Sequence, residues 1–246
     1  KYLDEMGDLS DRLLIGFSID GKPIHDKYRQ NTFDLVMKNL KEVVRRGYRK
    51  HVLVVVSKES VLHRDYLDKW FQELNSLGIP FFMKYLHSKP EYMISGEYAD
   101  IWSDWLYNTG YWKHMQNFVP NFCINGKCEE SGWMELNADG SVATCNKGNM
   151  NEKILGNWKE EPFNKILQKR QRIFSKELVS NKCLKCPWLP TCFGGCYLDR
   201  DKDTKLAIDC QVKVRMFNRA YDDGKDVYNM FFENTAEKNI QLNTLA

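Results

Sequence analysis

CLKCPWLPTCFGGC, residues 183–196, places four thiols in fourteen residues, with two, five and three residues between successive cysteines. The chain of 246 residues contains eight cysteines, and all of them fall between Cys123 and Cys210. A cysteine-free half therefore precedes a cysteine-rich one, which predicts two modules. No apolar run approaches the roughly 18–20 residues of a membrane span, and the charged start KYLDEMGDLSDR resembles neither a signal nor a transit peptide. The expected location is the cytoplasm, where thiols stay reduced and dense cysteine points to metal before disulfides.

Composition agrees with an ordinary globular protein, at 43% hydrophobic and 28% charged residues. The formal net charge of +3 is too small and too evenly spread to imply a nucleic acid or an anionic membrane as partner.

The first half alternates strand and helix signals. Leu13–Asp20 (LLIGFSID), His51–Val56 (HVLVVV) and Pro80–Tyr85 (PFFMKY) are short apolar runs of the kind buried on both faces of a parallel sheet. Between them, Phe33, Val36, Met37, Leu40, Val43 and Val44 recur at helical spacing after Thr32, a candidate N-cap, and stop at Gly47. Leu67, Trp70, Phe71, Leu74 and Leu77 repeat the design up to Gly78, and a third helix is expected over Gly96–Asn108. Three βα units imply right-handed crossovers and an α/β sheet or part of a barrel.

The second half changes at Phe122. WMELNADGSVATCN alternates about Ala138-Asp139-Gly140, predicting a β-hairpin that ends near Cys145. Pro162 opens a helix with Phe163, Ile166, Leu167, Ile173 and Phe174 on its apolar face. The cysteine-rich stretch follows, then Cys210 and a polar helical tail. Eight thiols suffice for two four-thiolate sites: zinc knuckles, iron-sulfur clusters and, last, disulfides all accommodate that count.

The spacing resembles a known family. Cys128, eleven residues, Gly140, four residues and Cys145 are followed by CxxC-x5-C-x3-C and, thirteen residues later, Cys210. This is similar to the SPASM domain, the C-terminal extension of radical S-adenosylmethionine (radical SAM) enzymes that mature peptides and proteins. Cys123 supplies the eighth ligand, and Leu155-Gly156-Asn157 is a frequent family phrase. In the first half, IGFSIDG (Ile15–Gly21) followed by HDKYR (His25–Arg29) is similar to the fourth strand and loop of the radical SAM barrel.

The resemblance implies an α/β fold: the C-terminal half of a partial (β/α)6 barrel in residues 1–120, then a small cysteine-rich SPASM domain with a β-hairpin and helices in residues 121–246. It implies two auxiliary 4Fe-4S clusters, one on Cys123, Cys128, Cys145 and Cys196, the other on Cys183, Cys186, Cys192 and Cys210. It places Ser18, Asp20 and Arg29 near cofactor or substrate, since βα barrels present functional groups at the C-terminal ends of their strands. Asp20-Gly21 as a plain turn, and Asp26 with Arg29 as a surface ion pair, are the structural alternatives. The five histidines show no ligand spacing, and Trp102, Trp105, Tyr107, Tyr111 and Trp112 are expected in the core.

The family's radical chemistry uses a CxxxCxxC loop that leaves one iron open for S-adenosylmethionine, and these residues contain none. A missing N-terminal barrel segment is therefore expected to bring S-adenosylmethionine and a third cluster in the complete enzyme, the alternative being a truncated relative that generates no radical. A peptide or protein substrate and an external electron donor are the implied partners. In the sulfatase-maturing branch an Asp follows the cysteine matched by Cys145; here Asn146 stands there, which favours a ribosomal-peptide crosslink or side-chain oxidation. A standalone iron-sulfur carrier or peptide-binding module, or a zinc-ribbon interaction protein, are the alternatives outside radical chemistry.

Overall fold

A computed structural model of the chain describes residues 13–86, 92–115, 134–143, 154–174, 180–192, 194–195, 200–201 and 203–231, with side chains omitted for 170–174. Contacts divide the chain into two units, Lys1–Asn117 and Phe118–Ala246.

In the first unit the three apolar runs become β1 (Leu14–Ser18), β2 (Arg49–Val56) and β3 (Phe81–Tyr85), hydrogen-bonded in parallel and in sequence order. Helices α1 (Lys22–Tyr28) and α2 (Phe33–Arg45) join β1 to β2, and α3 (Lys58–Leu62) and α4 (Arg64–Ser76) join β2 to β3. With sequential parallel strands, right-handed crossovers place every connecting helix on one face of the sheet, as in a βα barrel and unlike a doubly wound sheet. Burial follows that topology. Val52, Val54, Val56, Phe81 and Met83 are buried, while Leu53, Val55, Phe82 and Lys84, on the opposite face, are only partly covered. After α5 (Glu97–Thr109), Met115 makes a parallel bridge to Met83, extending the order beyond β3.

The core of this unit is aromatic. Phe71 stacks on Phe81 with ring centres 4.4 Å apart, Tyr111 meets Phe71 edge-on, and Phe81 stacks on His114 at 4.0 Å. Trp102 is fully buried, and Tyr111 and Trp112 nearly so, whereas Trp105 and Tyr107 are half-buried, so the stripe is core at three of its five positions. Two caps differ in detail from expectation. Thr32 occupies the N-cap of α2 but spends its hydroxyl on the Arg29 carbonyl, and Asp26 Oδ1 accepts the Phe33 N–H instead. Ser57 opens α3 with its N–H donated to Ser60 Oγ, a capping box that the sequence pattern did not announce.

In the second unit, β4 (Glu135–Leu136) and β5 (Ser141–Ala143) form the expected hairpin. Asp139 Oδ1 accepts from the Ser141 N–H and hydroxyl, and Gly140 takes φ +94°. A third antiparallel strand, β6 (Ile154–Asn157), pairs with β5, and α6 (Phe163–Phe174) seals the sheet through Ile166. The apolar face assigned to α6 is narrower than expected: Ile166 is buried, but Phe163 and Leu167 are exposed, and the side chains of Ile173 and Phe174 lie outside the described residues. Two short helices, α7 (Asn181–Leu184) and α8 (Leu189–Cys192), fold the cysteine-rich stretch, and α9 (Cys210–Asp222) follows. The tail predicted as polar buries Val212, Met216, Phe217 and Ala220. Among the described residues no helix is long and apolar enough to cross a membrane.

Candidate metal centre

Cys183, Cys186, Cys192 and Cys210 line a single cavity of ≈ 170 Å³ in the second unit, with Leu189, Leu206, Ala207 and Val214 as its apolar wall. The local backbone explains the convergence. Cys183 sits in α7, whose first turn is capped by Ser180, and the Cys186 N–H returns to the Cys183 carbonyl at 3.0 Å, a tight knuckle. Pro187 lacks the N–H to continue a helix, so the chain turns again; Pro190 sits in the first turn of α8, and the Cys192 N–H closes on the Trp188 carbonyl at 2.7 Å. Gly194 and Gly195 both take left-handed φ, +73° and +69°, and a Cβ on Gly195 would meet Ala207 Cβ at 2.5 Å. Arg200 holds that corner by donating to the Gly194 and Gly195 carbonyls at 3.1 and 3.2 Å. Opposite Arg200 in an antiparallel bridge is Ala207, whose carbonyl accepts the Cys210 N–H and starts α9.

Four sulfurs around a cavity differ from four ligands on a point. Among the described residues no three Cys, His, Asp or Glu side chains are close enough to clasp a single metal ion. The cavity is several times larger than one ion needs, so the donor set fits a multi-atom iron-sulfur core better than a tetrahedral zinc. Electrostatics point the same way. Burial, reinforced by Cys192, Cys183, Asp209 and Cys186, pushes the Cys210 thiol up to about 11, and burial raises Cys192 also, against the pull of Lys213 and a hydrogen bond from the Gly194 N–H. Buried thiols this close resist ionisation on their own; a cationic core deprotonates them and supplies the missing attraction. Cys123, Cys128, Cys145 and Cys196, grouped by resemblance as the other site, lie outside the described residues.

In the first unit, Ser18, Asp20 and Arg29 meet at the C-terminal end of β1. Arg29 donates from Nε to Asp20 Oδ2 at 2.8 Å and from Nη2 to Ser18 Oγ at 2.9 Å, while Asp20 Oδ1 accepts the Val55 N–H of β2 at 2.9 Å. Both carboxylate oxygens are thus engaged, so Asp20 orients the guanidinium and anchors it to the sheet. Arg29 remains 37% exposed, with Nη1 unpartnered among the described residues. Asp26 does not pair with Arg29 here; it caps α2 instead. Asp20-Gly21 is also a turn, since Gly21 takes φ +83° and a Cβ there would meet Leu67 Cδ2 at 2.8 Å.

The SPASM description, an iron-sulfur cluster-binding domain, matches residues 123–187, a stretch that holds five of the eight cysteines. The chain thus carries a SPASM-type iron-sulfur segment. The chain is 25% identical to a cysteine-type anaerobic sulfatase-maturating enzyme of Clostridium novyi, with 76% of this chain and 58% of the relative covered. A Clostridium perfringens enzyme of the same description is 24% identical over 90% of this chain and 68% of its own length. The chain thus spans 58% of the length of the first of these relatives. Among solved structures, tagged anSMEcpe with bound AdoMet superposes with a TM-score of 0.64 at 21% identity, covering 96% of this chain and 70% of the other. Native anSMEcpe with bound AdoMet and Kp18Cys peptide gives 0.63, again at 21% identity, over 94% and 72%.

Against the SPASM pattern, sequence reasoning found the thiols and missed what holds them. Arg200 carried no signal, being a lone cation whose partners are backbone carbonyls. Asp209 and Lys213 carried no signal either, since a carboxylate and a lysine four residues apart are ordinary in a polar helix; the structure buries both. The double glycine of CLKCPWLPTCFGGC takes left-handed φ at both positions, which accounts for its place in the stretch.

Proposed function

We propose that the chain is the SPASM-bearing part of a radical SAM enzyme that modifies a peptide or protein substrate. Cys183, Cys186, Cys192 and Cys210 hold one auxiliary 4Fe-4S cluster, and Cys123, Cys128, Cys145 and Cys196 a second. The observation that carries this reading is the common cavity of the first four thiols, which lie as far apart in sequence as 183 and 210. Held by four thiolates each, such clusters would supply one-electron transfer with an external donor or acceptor, and their complete protein ligation would leave no iron for substrate.

The residues of the first unit supply orientation. Arg29, fixed by Asp20 and Ser18, presents its outer guanidinium edge at the C-terminal end of β1, where it pairs with the carboxylate of a bound S-adenosylmethionine or peptide. A CxxxCxxC segment additional to these residues would hold the third cluster, which would supply the reductive chemistry on S-adenosylmethionine. The relatives bear the name of sulfatase maturation, but Asn146 follows Cys145, and a carboxamide accepts no proton at neutral pH. We therefore place the substrate among peptides that are crosslinked or oxidised without a base at that position.

Anaerobic purification in iron-replete medium tests the assignment. The expected content is about eight irons and about eight sulfides per chain, from four thiolates per cluster, with a brown chromophore. Two zincs at full occupancy in a colourless protein overturn it in favour of a zinc-ribbon module.

A further inference from the structure

Lys213 is 3% exposed and Asp209 9%, and Lys213 Nζ lies 2.9 Å from Asp209 Oδ2. A buried ion pair is weak support for stability, because desolvating both charges offsets their attraction. Asp209 occupies the N-cap of α9 yet makes no side-chain bond to the helix N–H groups; it gives its carboxylate to Lys213. The pair is therefore not a cap. Its position is what distinguishes it. Cys210 is the first residue of α9, Lys213 and Val214 follow at three and four residues on the same helix face, and Val214 lines the four-thiol cavity beside Cys210.

We propose that Lys213, held by Asp209, is the fixed counter-charge of the four-thiol centre and sets the reduction potential of the cluster bound there. This rests on the iron-sulfur reading of those thiols. Four thiolates leave the loaded centre negative, and one-electron reduction adds a further negative charge. A cation in a low-dielectric wall stabilises the reduced form and raises the potential; an anion there lowers it. Asp209 directly precedes Cys210 and Lys213 follows it by three residues on α9, so the buried pair flanks that thiol; Lys182 also lines the cavity, but Lys213 is the lysine held buried in an ion pair. Removing either partner leaves the other charge unbalanced beside the centre, positive without Asp209 and negative without Lys213.

Opposite substitutions should move one potential in opposite directions. The 246-residue chain, loaded anaerobically, is titrated with dithionite and followed by electron paramagnetic resonance at pH 7. Lys213→Gln should lower one transition by about tenfold in the reduced-to-oxidised ratio at fixed poise, which is about 59 mV for a one-electron couple. Asp209→Asn should raise the same transition, Lys213→Arg should leave it in place, and the other transition should not move in any of the three. A structural ion pair would give shifts of one sign with loss of iron in both Lys213→Gln and Asp209→Asn. Should Lys213→Gln not retain iron, Asp209→Asn and Lys213→Arg carry the test: no rise in the first, or a shift in the second, overturns the proposal. Undiminished iron in a Cys183→Ser, Cys210→Ser double variant would instead overturn the cluster reading itself.

Discussion

The two units hold together by different means. The first buries a continuous apolar layer between sheet and helices, with Leu40, Val52, Val54, Leu67, Phe71, Leu74, Met83 and Trp102 essentially inaccessible. Beneath the hairpin of the second, the buried cluster is Val142, Leu155 and Ile166, with Met134 against it. Around the thiol cavity the fold is made of turns: short helices, a double-glycine corner and an Asp201 loop whose carboxylate accepts from the Asp203 and Thr204 N–H groups. Apart from α9, which buries Val212, Met216, Phe217 and Ala220, the described residues around the thiols are held by turns, so a bound metal there contributes folding free energy. The first unit needs no such support.

Removing the metal gives the largest expected difference. Stripping iron with a chelator should abolish hydrogen-exchange protection across residues 180–222 while leaving β1–β3 protected. Structural metal sites are worth on the order of 10 kcal/mol in comparable small modules. Protection of the 180–222 segment that survives complete iron loss would break the contrast between the units.

The reciprocal experiment is a core deletion in the first unit. Phe71 is fully buried and touches Phe81, Trp70, Trp105 and Tyr111. Phe71→Ala should cost about 3–5 kcal/mol, seen as a lower denaturant midpoint for the first unit. The iron chromophore, which reports the second unit, should be retained to the same denaturant concentration as in the unsubstituted chain.

A glycine pair sharpens the comparison at smaller scale. Gly47 and Gly195 have similar backbone angles, φ +76° and +69°, but a Cβ on Gly47 meets nothing within 4 Å, whereas one on Gly195 meets Ala207 Cβ at 2.5 Å. Gly47→Ala should cost about 1 kcal/mol of left-handed strain in the first unit. Gly195→Ala adds a clash beside the cavity, and should be read as faster iron release under chelator than Gly47→Ala produces. Equal release rates would show that the corner can relax without disturbing the thiols.

The same contrast governs what could be read from the sequence. Short apolar runs are the mark of parallel strands, so HVLVVV and PFFMKY announced β2 and β3 although only one face of each is fully buried, and the left-handed stops at Gly47 and Gly78 announced helix ends. Thiol spacing announced the second unit because metal ligands must recur at fixed steps around turns. Other features depended on partners distant in sequence. Asp20 is anchored by Val55, Arg200 acts on backbone carbonyls, and nothing local to Lys213 announces its burial. The α6 face misled for the converse reason: Phe163 and Leu167 have helical spacing with Ile166, yet only Ile166 meets the small sheet.

The smallest predicted effect is a pH dependence confined to the first unit. His25 is buried, with Nε2 3.1 Å from Thr32 Oγ1 and its ring edge-on to Phe33, and His51 lies over Gly16. Burial lowers the pKa of both; at His25 it outweighs the attraction of Asp20 and Asp26, with Arg29 acting in the same direction as burial. A histidine whose folded pKa is depressed takes up its proton more readily in the unfolded chain, so the unfolded state binds more protons below about pH 6.5 and stability falls as pH falls. The loss should begin as pH drops through that unfolded value and level off only below the folded ones. Unfolding of the first unit followed at about pH 7, 6 and 5 should therefore show a declining midpoint, and His25→Gln should flatten part of that decline while lowering stability at neutral pH through the lost packing on Phe33. The aromatic core and the parallel register do not titrate in this range, so the decline has few other sources in the first unit. A slope unchanged by His25→Gln would mean that the ring takes up its proton in place, with Asp20 compensating for its burial, and that the network at the end of β1 is less closed to water than its hydrogen bonds indicate.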